Sequence, residues 1–130
     1  MTILVVDDDK TTRKILGIYL KAKGYAVVYA ENGLEAMEKL GTESINLVMT
    51  DLNMPYMDGH ELTRSIRADE HLKHIPILMV TTEADEEEKA KALEAGADGY
   101  LVKPVSADMV SHNIRTILAD IFEKGGSANA

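Results

Sequence analysis

Short runs of aliphatic and β-branched residues alternate along this chain with longer stretches whose apolar positions recur every three to four residues. Ile3–Val6, Ala26–Tyr29, Asn46–Thr50, Ile77–Val80 and Tyr100–Val102 have the length and composition of parallel strands buried on both faces. The stretch from Lys10 to Lys23 reads as a first helix, with Ile15, Leu16, Tyr19 and Leu20 on one face and a stop at Gly24. Asn32 caps a second, Gly33 to Leu40, which ends near Gly41. A third covers His60 to Ala68, and a fourth runs from Ala84 to Ala95 and stops at Gly96. Ser106 caps a fifth, with an apolar stripe of Val110, Ile114, Ile117, Leu118 and Ile121. Five βα units with short connections predict an α/β fold, a parallel sheet with helices on both faces, in one domain over residues 1–123. The Gly-, Ser- and Ala-rich end, 124–130, reads as a flexible tail. Strand order does not follow from periodicity.

The strand runs end in a particular set of residues. The first ends in Asp7-Asp8-Asp9, the third in Thr50-Asp51, the fourth in Thr81-Thr82 and the fifth in Lys103-Pro104. In an open parallel sheet these carboxyl ends share one edge, where the ligand crevice opens. Carboxylates gathered there repel one another unless they take up protons or a cation joins them. Mg²⁺ suits such a site, because it binds through one or two carboxylates, keeps waters and bridges to phosphate oxygens; Mn²⁺ could substitute. One carboxylate can then attack phosphorus to form an acyl phosphate, with Lys103 offsetting charge and Thr81 donating a hydrogen bond.

Composition narrows the classes. Acidic residues outnumber basic ones by 22 to 14, a formal charge of −8, which argues against nucleic-acid binding. Without cysteine there is neither a disulfide framework nor a thiolate metal site. No segment approaches the roughly 20 apolar residues of a membrane span, and Ile3–Val6 lacks the features of a signal peptide, so a soluble cytoplasmic protein is expected.

The residues that end the strands carry a resemblance. Ile3-Leu4-Val5-Val6-Asp7-Asp8-Asp9, Thr50-Asp51-Leu52-Asn53-Met54-Pro55-Tyr56-Met57-Asp58-Gly59, Val80-Thr81-Thr82-Glu83-Ala84 and Gly99-Tyr100-Leu101-Val102-Lys103-Pro104 resemble the response-regulator receiver domains of two-component signalling, most nearly the single-domain chemotaxis regulators. The resemblance implies a doubly wound sheet of order 2-1-3-4-5, the order for which that family is itself a standing example. It implies Asp51 as phosphoacceptor, Asp7 and Asp8 as the acidic pair holding Mg²⁺ with Asp51, and Asn53 as a further ligand through its main-chain carbonyl. Thr81 and Tyr100 become switch residues, Lys103 the partner of the phosphoryl oxygens, and Lys103-Pro104 a cis peptide. Asn53 and Glu83 fall on positions linked to the dephosphorylation rate. The implied partners are a sensor histidine kinase, a phosphatase and a target protein reached through the fourth helix, fifth strand and fifth helix. The flagellar motor switch leads among targets, with a phosphorelay role or a receiver cut from a longer regulator as alternatives.

Other residues read more plainly. Asp9 is a helix-start residue favoured by the helix dipole, and Asp58-Gly59 is turn chemistry, shaped with Pro55, at which the next helix can start. His60, His71, His74 and His112 are scattered, and they are expected to be solvated rather than ligands. The fourth helix has little large apolar surface beyond Leu93, which suits an element that shifts. A haloacid-dehalogenase-type phosphotransferase would also use Asp-x-Asp after a first strand. Lys10 stands where that class has a small β-branched residue, and no late acidic pair or cap is present. A nucleotide or flavin site lacks its Gly-rich loop after the first strand. A receiver that has lost phosphorylation and serves as a scaffold would not need the full set of site residues.

Overall fold

The computed structural model describes the backbone of residues 1–129 and the side chains of residues 1–123, so the tail expected over 124–130 lies outside the residues described in full. Strands β1 (Thr2–Val6), β2 (Ala26–Ala30), β3 (Leu47–Thr50), β4 (Ile77–Thr81) and β5 (Gly99–Val102) alternate with helices α1 (Lys10–Ala22), α2 (Gly33–Thr42), α3 (Gly59–Ala68), α4 (Glu86–Ala95) and α5 (Ala107–Asn129). All strand pairs are parallel, in the order β2-β1-β3-β4-β5.

Side chains alternate across each strand, and this divides the apolar residues between two cores. Leu4, Val6, Val48 and Met79 face α2, α3 and α4, packing with Ala36, Leu40, Leu62, Ile66 and Ala92. Ile3, Val5, Leu47, Met49, Leu78 and Val80 face α1 and α5, packing with Leu16, Leu20, Val110, Ile114 and Ile117. The central strands β1, β3 and β4 are covered on both sides, whereas the edge strands β2 and β5 are partly exposed. Each large aliphatic side chain fully withdrawn from water contributes about 1.5–3 kcal/mol, so these two layers dominate stability.

Helix starts follow their caps. Asp9 accepts from Thr12 N at 3.0 Å, Asn32 from Glu35 N at 2.9 Å, and Ser106 Oγ from Met109 N at 3.1 Å. Asp58 and Glu61 form a reciprocal capping box at α3, so the expected turn pair is also the start of the helix. α4 begins two residues later than expected, because Asp85 takes the cap and accepts from Glu87 N at 3.0 Å. Gly41 does not stop α2, which runs on to Thr42, and Gly96 ends α4 in the left-handed region at φ 116°.

Two residues assigned to apolar faces lie outside them. Ile15 is 43% exposed and Ile121 is 38% exposed. α1 instead turns Gly17 inward, where an added Cβ would collide with the Tyr29 hydroxyl. α4 is held lightly: Ala92 is its one buried residue, and Leu93 is 46% exposed. Its C-terminal end is fixed by Arg67, whose Nε donates to Gly96 O at 3.0 Å, while Nη2 pairs with Asp98 at 2.9 Å.

Candidate functional site

The sheet register assembles the site. Val6 pairs with Ala30 on one side and Thr50 on the other, so the next residues, Asp7 and Asp51, leave the sheet side by side. Asp7 N donates to Ala30 O at 3.1 Å and Asp51 N to Val6 O at 2.8 Å, extending the ladders one step into the loops. Thr81 pairs with Val102, and Lys103 N donates to Thr81 O at 2.8 Å, which places Lys103 on the same edge. The Lys103-Pro104 peptide is cis, as the family resemblance implies.

Asp7, Asp8 and Asp51 bring carboxylate oxygens within 4.8 Å of one another. Asp7 is buried, Asp8 exposed and Asp51 half-buried. Lys103 Nζ donates to Asp7 Oδ2 at 2.8 Å and lies 3.6 Å from Asp51 Oδ2. Asp7 Oδ1 also accepts from Asp9 N at 2.8 Å, and Asp51 Oδ1 from Leu52 N at 2.8 Å. Burial pushes the Asp51 carboxyl above the usual aspartate range; the Lys103 ammonium opposes this, and the Asp7 charge adds to it.

Three carboxylates face one ammonium here, so an acidic excess remains in a partly closed pocket. The donors are all hard oxygens, and exposed Asp8 opens the cluster to water. That donor set fits a small divalent cation of the Mg²⁺ type, which binds carboxylates and keeps part of its hydration shell.

A second group of contacts runs away from the carboxylates. Thr81 is fully buried, and its Oγ1 accepts from Glu83 N at 3.2 Å. The Tyr100 hydroxyl donates to Glu83 O at 2.7 Å, and Asn53 Nδ2 donates to Glu83 Oε1 at 3.0 Å. Glu83 is therefore tied through its amide to Thr81, through its carbonyl to Tyr100 and through its side chain to Asn53. Asn53, Thr81, Glu83 and Tyr100 thus form one hydrogen-bonded group.

Sequence reasoning missed two neighbours. Gly59 packs so closely that an added Cβ would collide with the Asp51 carbonyl oxygen, and its N–H donates to Leu52 O at 2.7 Å. His60, expected in solvent, is 9% exposed, and its Nε2 lies 3.0 Å from Glu88 Oε2 on α4. Its spacing of three residues from buried Thr63 puts the two on one face of α3, a signal the helical period offers.

Comparison with known proteins agrees with this geometry. The family model for the response regulator receiver domain matches residues 3–115. Chemotaxis protein CheY of Pseudomonas aeruginosa is 42% identical over 118 residues, covering 90% of this chain and 95% of that protein. Chemotaxis protein CheY1 of Helicobacter pylori is 42% identical over 120 residues, covering 91% and 97%. Among solved structures, chemotaxis response regulator CheY4 of Vibrio cholerae superposes with a TM-score of 0.84 at 34% identity, covering 89% of this chain and 97% of that one. A CheY-like receiver domain protein from Methanospirillum hungatei gives 0.86 at 31% identity, covering 95% and 97%. With the strand order, the acidic edge and the sequence all in agreement, the chain belongs to the response regulator receiver domain family.

Proposed function

We propose that this protein is a phosphorylation-dependent switch whose Asp51 receives a phosphoryl group from the phosphohistidine of a sensor kinase. The observation that carries the reading is the place of the Asp51 carboxylate, half-buried, 3.6 Å from the Lys103 ammonium and beside Asp7 and Asp8. An Asp51 oxygen attacks phosphorus as the bond from phosphorus to the histidine nitrogen breaks. The electron pair returns to the donor ring, which takes up a proton, and Asp51 is left as an acyl phosphate. In this reading Lys103, 3.6 Å from Asp51 Oδ2, pairs with the phosphoryl oxygens, and Thr81, whose Oγ1 already accepts from Glu83 N, retains its O–H to donate to them. Asp7, Asp8, Asp51 and the Asn53 carbonyl would hold Mg²⁺, with Mn²⁺ as substitute; the cation offsets charge on the transferring group.

The contacts of Glu83 suggest how the signal leaves the site. Movement of Thr81 toward a phosphoryl group pulls on Glu83 N, and Glu83 O is held by the Tyr100 hydroxyl. Release of that bond lets Tyr100 turn inward and changes the surface formed by α4, β5 and α5. The acyl phosphate shifts the population because it interacts better with the rearranged site than with the resting one. Asn53 and Glu83, joined by a 3.0 Å hydrogen bond, are the two side chains that set the acyl-phosphate lifetime in this reading.

Receiver domains are signalling switches rather than metabolic enzymes, and the self-phosphorylating and self-dephosphorylating activities proposed here are part of that switching. The resemblance to chemotaxis regulators favours a cytoplasmic pathway whose target is the flagellar motor switch, with a phosphatase ending the signal. Among the described residues, no helix is long and apolar enough to cross a membrane. Incubation with a small-molecule phosphodonor and Mg²⁺, followed by intact mass measurement, tests the reading. A labile gain of one phosphoryl group, lost with EDTA and absent from Asp51→Asn, is expected. No gain by the folded parent protein overturns it.

A further inference from the structure

Asp7, Asp8 and Asp9 join β1 to α1, and Arg13 reaches back to this short loop from the start of the helix. Its Nη1 donates to the Asp7 carbonyl oxygen at 2.6 Å. Its Nη2 lies 3.5 Å from Glu31 Oε1, just past the end of β2, and the Arg13 side chain is 13% exposed. No step proposed for Asp51 uses this guanidinium.

The carbonyl that Arg13 holds belongs to the peptide between Asp7 and Asp8. A peptide unit is planar, so a bond to its oxygen also orients the nitrogen of the next residue. Asp7 has further anchors: its N donates to Ala30 O, while its carboxylate accepts from Asp9 N and from Lys103 Nζ. Asp8 is exposed, so the peptide ahead of it has more say in where its carboxylate stands. Arg13 thus acts on the placement of the two carboxylates relative to each other.

Charge works in the other direction. A guanidinium close to a cation site repels the cation. Glu31 offsets that charge only weakly, because its side chain is 66% exposed and the pair is screened by water. By charge alone Arg13 weakens cation binding, whereas through the Asp7–Asp8 peptide it strengthens it. The two effects have opposite signs, so measurement separates them.

We propose that Arg13 is a positioning residue for divalent-cation binding, holding the Asp7–Asp8 peptide so that both carboxylates stay clustered with Asp51. Groups that hold metal ligands in place typically change affinity by about 10- to 100-fold when lost. Arg13 holds the backbone of the ligands rather than their oxygens, so the low end of that range, about ten-fold, is expected. The assignment rests on the Mg²⁺ reading of the carboxylates above.

Calorimetric titration of the full chain with MgCl₂ measures the effect, with folding of each variant confirmed by circular dichroism. Arg13→Met removes the bond and the charge, and Arg13→Lys keeps the charge with a shorter donor. Affinity should fall in the order parent, Arg13→Lys, Arg13→Met, the last weaker by about ten-fold. Lys10→Met, which removes an exposed positive charge from the same helix, should bind no more weakly than the parent. Where Arg13→Met does not fold, the weaker binding of Arg13→Lys carries the test. Equal or tighter binding by the Arg13 variants, or an equal loss in Lys10→Met, overturns the positioning role and leaves the Mg²⁺ reading standing. No binding by the folded parent overturns both.

Discussion

Lys103 Nζ donates to Asp7 Oδ2 at 2.8 Å, joining residues 96 positions apart in sequence. β5 and β1 are not neighbours in the sheet; β4 and β3 lie between them, and the lysine spans that distance along the carboxyl edge. The Asp7 side chain is 2% exposed and that of Lys103 17%. Loss of one member of a buried pair leaves the other as an uncompensated charge, which is costly even where the intact pair adds little net stability. Lys103→Met is therefore expected to lower stability by about 2 kcal/mol or more in metal-free buffer, with part recovered on adding Mg²⁺. Urea unfolding with and without the metal checks both.

The Asp51 carboxyl is shifted in the opposite sense from a stabilising carboxylate. Because burial raises its pKa in the fold, the folded state binds its proton more tightly than the unfolded chain does. Its ionised form then costs stability at neutral pH, and that cost disappears as pH falls through the raised value. In metal-free buffer Asp51→Asn is expected to stabilise the protein by about 1 kcal/mol near pH 7. The advantage should shrink toward about pH 4, where free aspartate itself protonates. Equal differences at both pH values, measured by chemical denaturation, would count against the burial argument.

Cation binding at the carboxylates should appear as added stability. A ligand present at 100 times its dissociation constant stabilises by about 2.7 kcal/mol. Asp8 is exposed and makes no ion pair with Lys103, so Asp8→Asn removes a ligand without breaking the Asp7 contact. The parent protein should melt later with Mg²⁺, and Asp8→Asn should gain markedly less. Thermal unfolding across a Mg²⁺ titration shows whether the gains differ.

Gly59 sets two effects against each other. Alanine is the better helix former by about 1 kcal/mol. At this site its Cβ would meet the Asp51 carbonyl oxygen, and would lie 2.9 Å from Leu52 Cα. Backbone atoms cannot yield as a side-chain tip can, and forced overpacking costs about 1–3 kcal/mol. Gly59→Ala is expected to destabilise the fold and to slow phosphoryl uptake at Asp51. A stabilised variant with unchanged uptake would show that helix propensity had won.

The 3.0 Å hydrogen bond from Asn53 Nδ2 to Glu83 Oε1 predicts that the two side chains act together on acyl-phosphate lifetime. Substitution of either by alanine should change the lifetime, and the double variant should depart from the product of the single effects by about two-fold or more. Decay of the phosphorylated mass in the four proteins measures the coupling. Independent effects would separate the pair.

Several of these relationships were visible in the chain and others were not. The buried strands were legible because a strand covered on both faces needs an unbroken apolar run, as in Ile3–Val6 and Ile77–Val80. Asp58-Gly59 was legible as a turn at which the next helix can start, and the capping box with Glu61 is what makes Asp58 the cap. Ile15 was assigned inward on spacing alone. Gly17 occupies the inward position because Tyr29 fills the space above it, a contact across 12 residues that no helical period contains. His60 was read as solvated on residue type, and its burial depends on α4 closing over α3.

The sequence by itself determined the α/β alternation and the delivery of Asp7, Asp8, Asp51, Thr81 and Lys103 to the ends of strands, because strand length and side-chain period are local properties. Strand order was readable only through family resemblance, since parallel strands of similar composition carry no mark of their neighbours. Tertiary structure alone decided the Lys103–Asp7 pairing, the three-way tethering of Glu83 and the closure of His60 against Glu88. Each depends on which elements pack together and at what register. Those are set by the burial of two whole helical layers against the sheet, and no short stretch of chain encodes them.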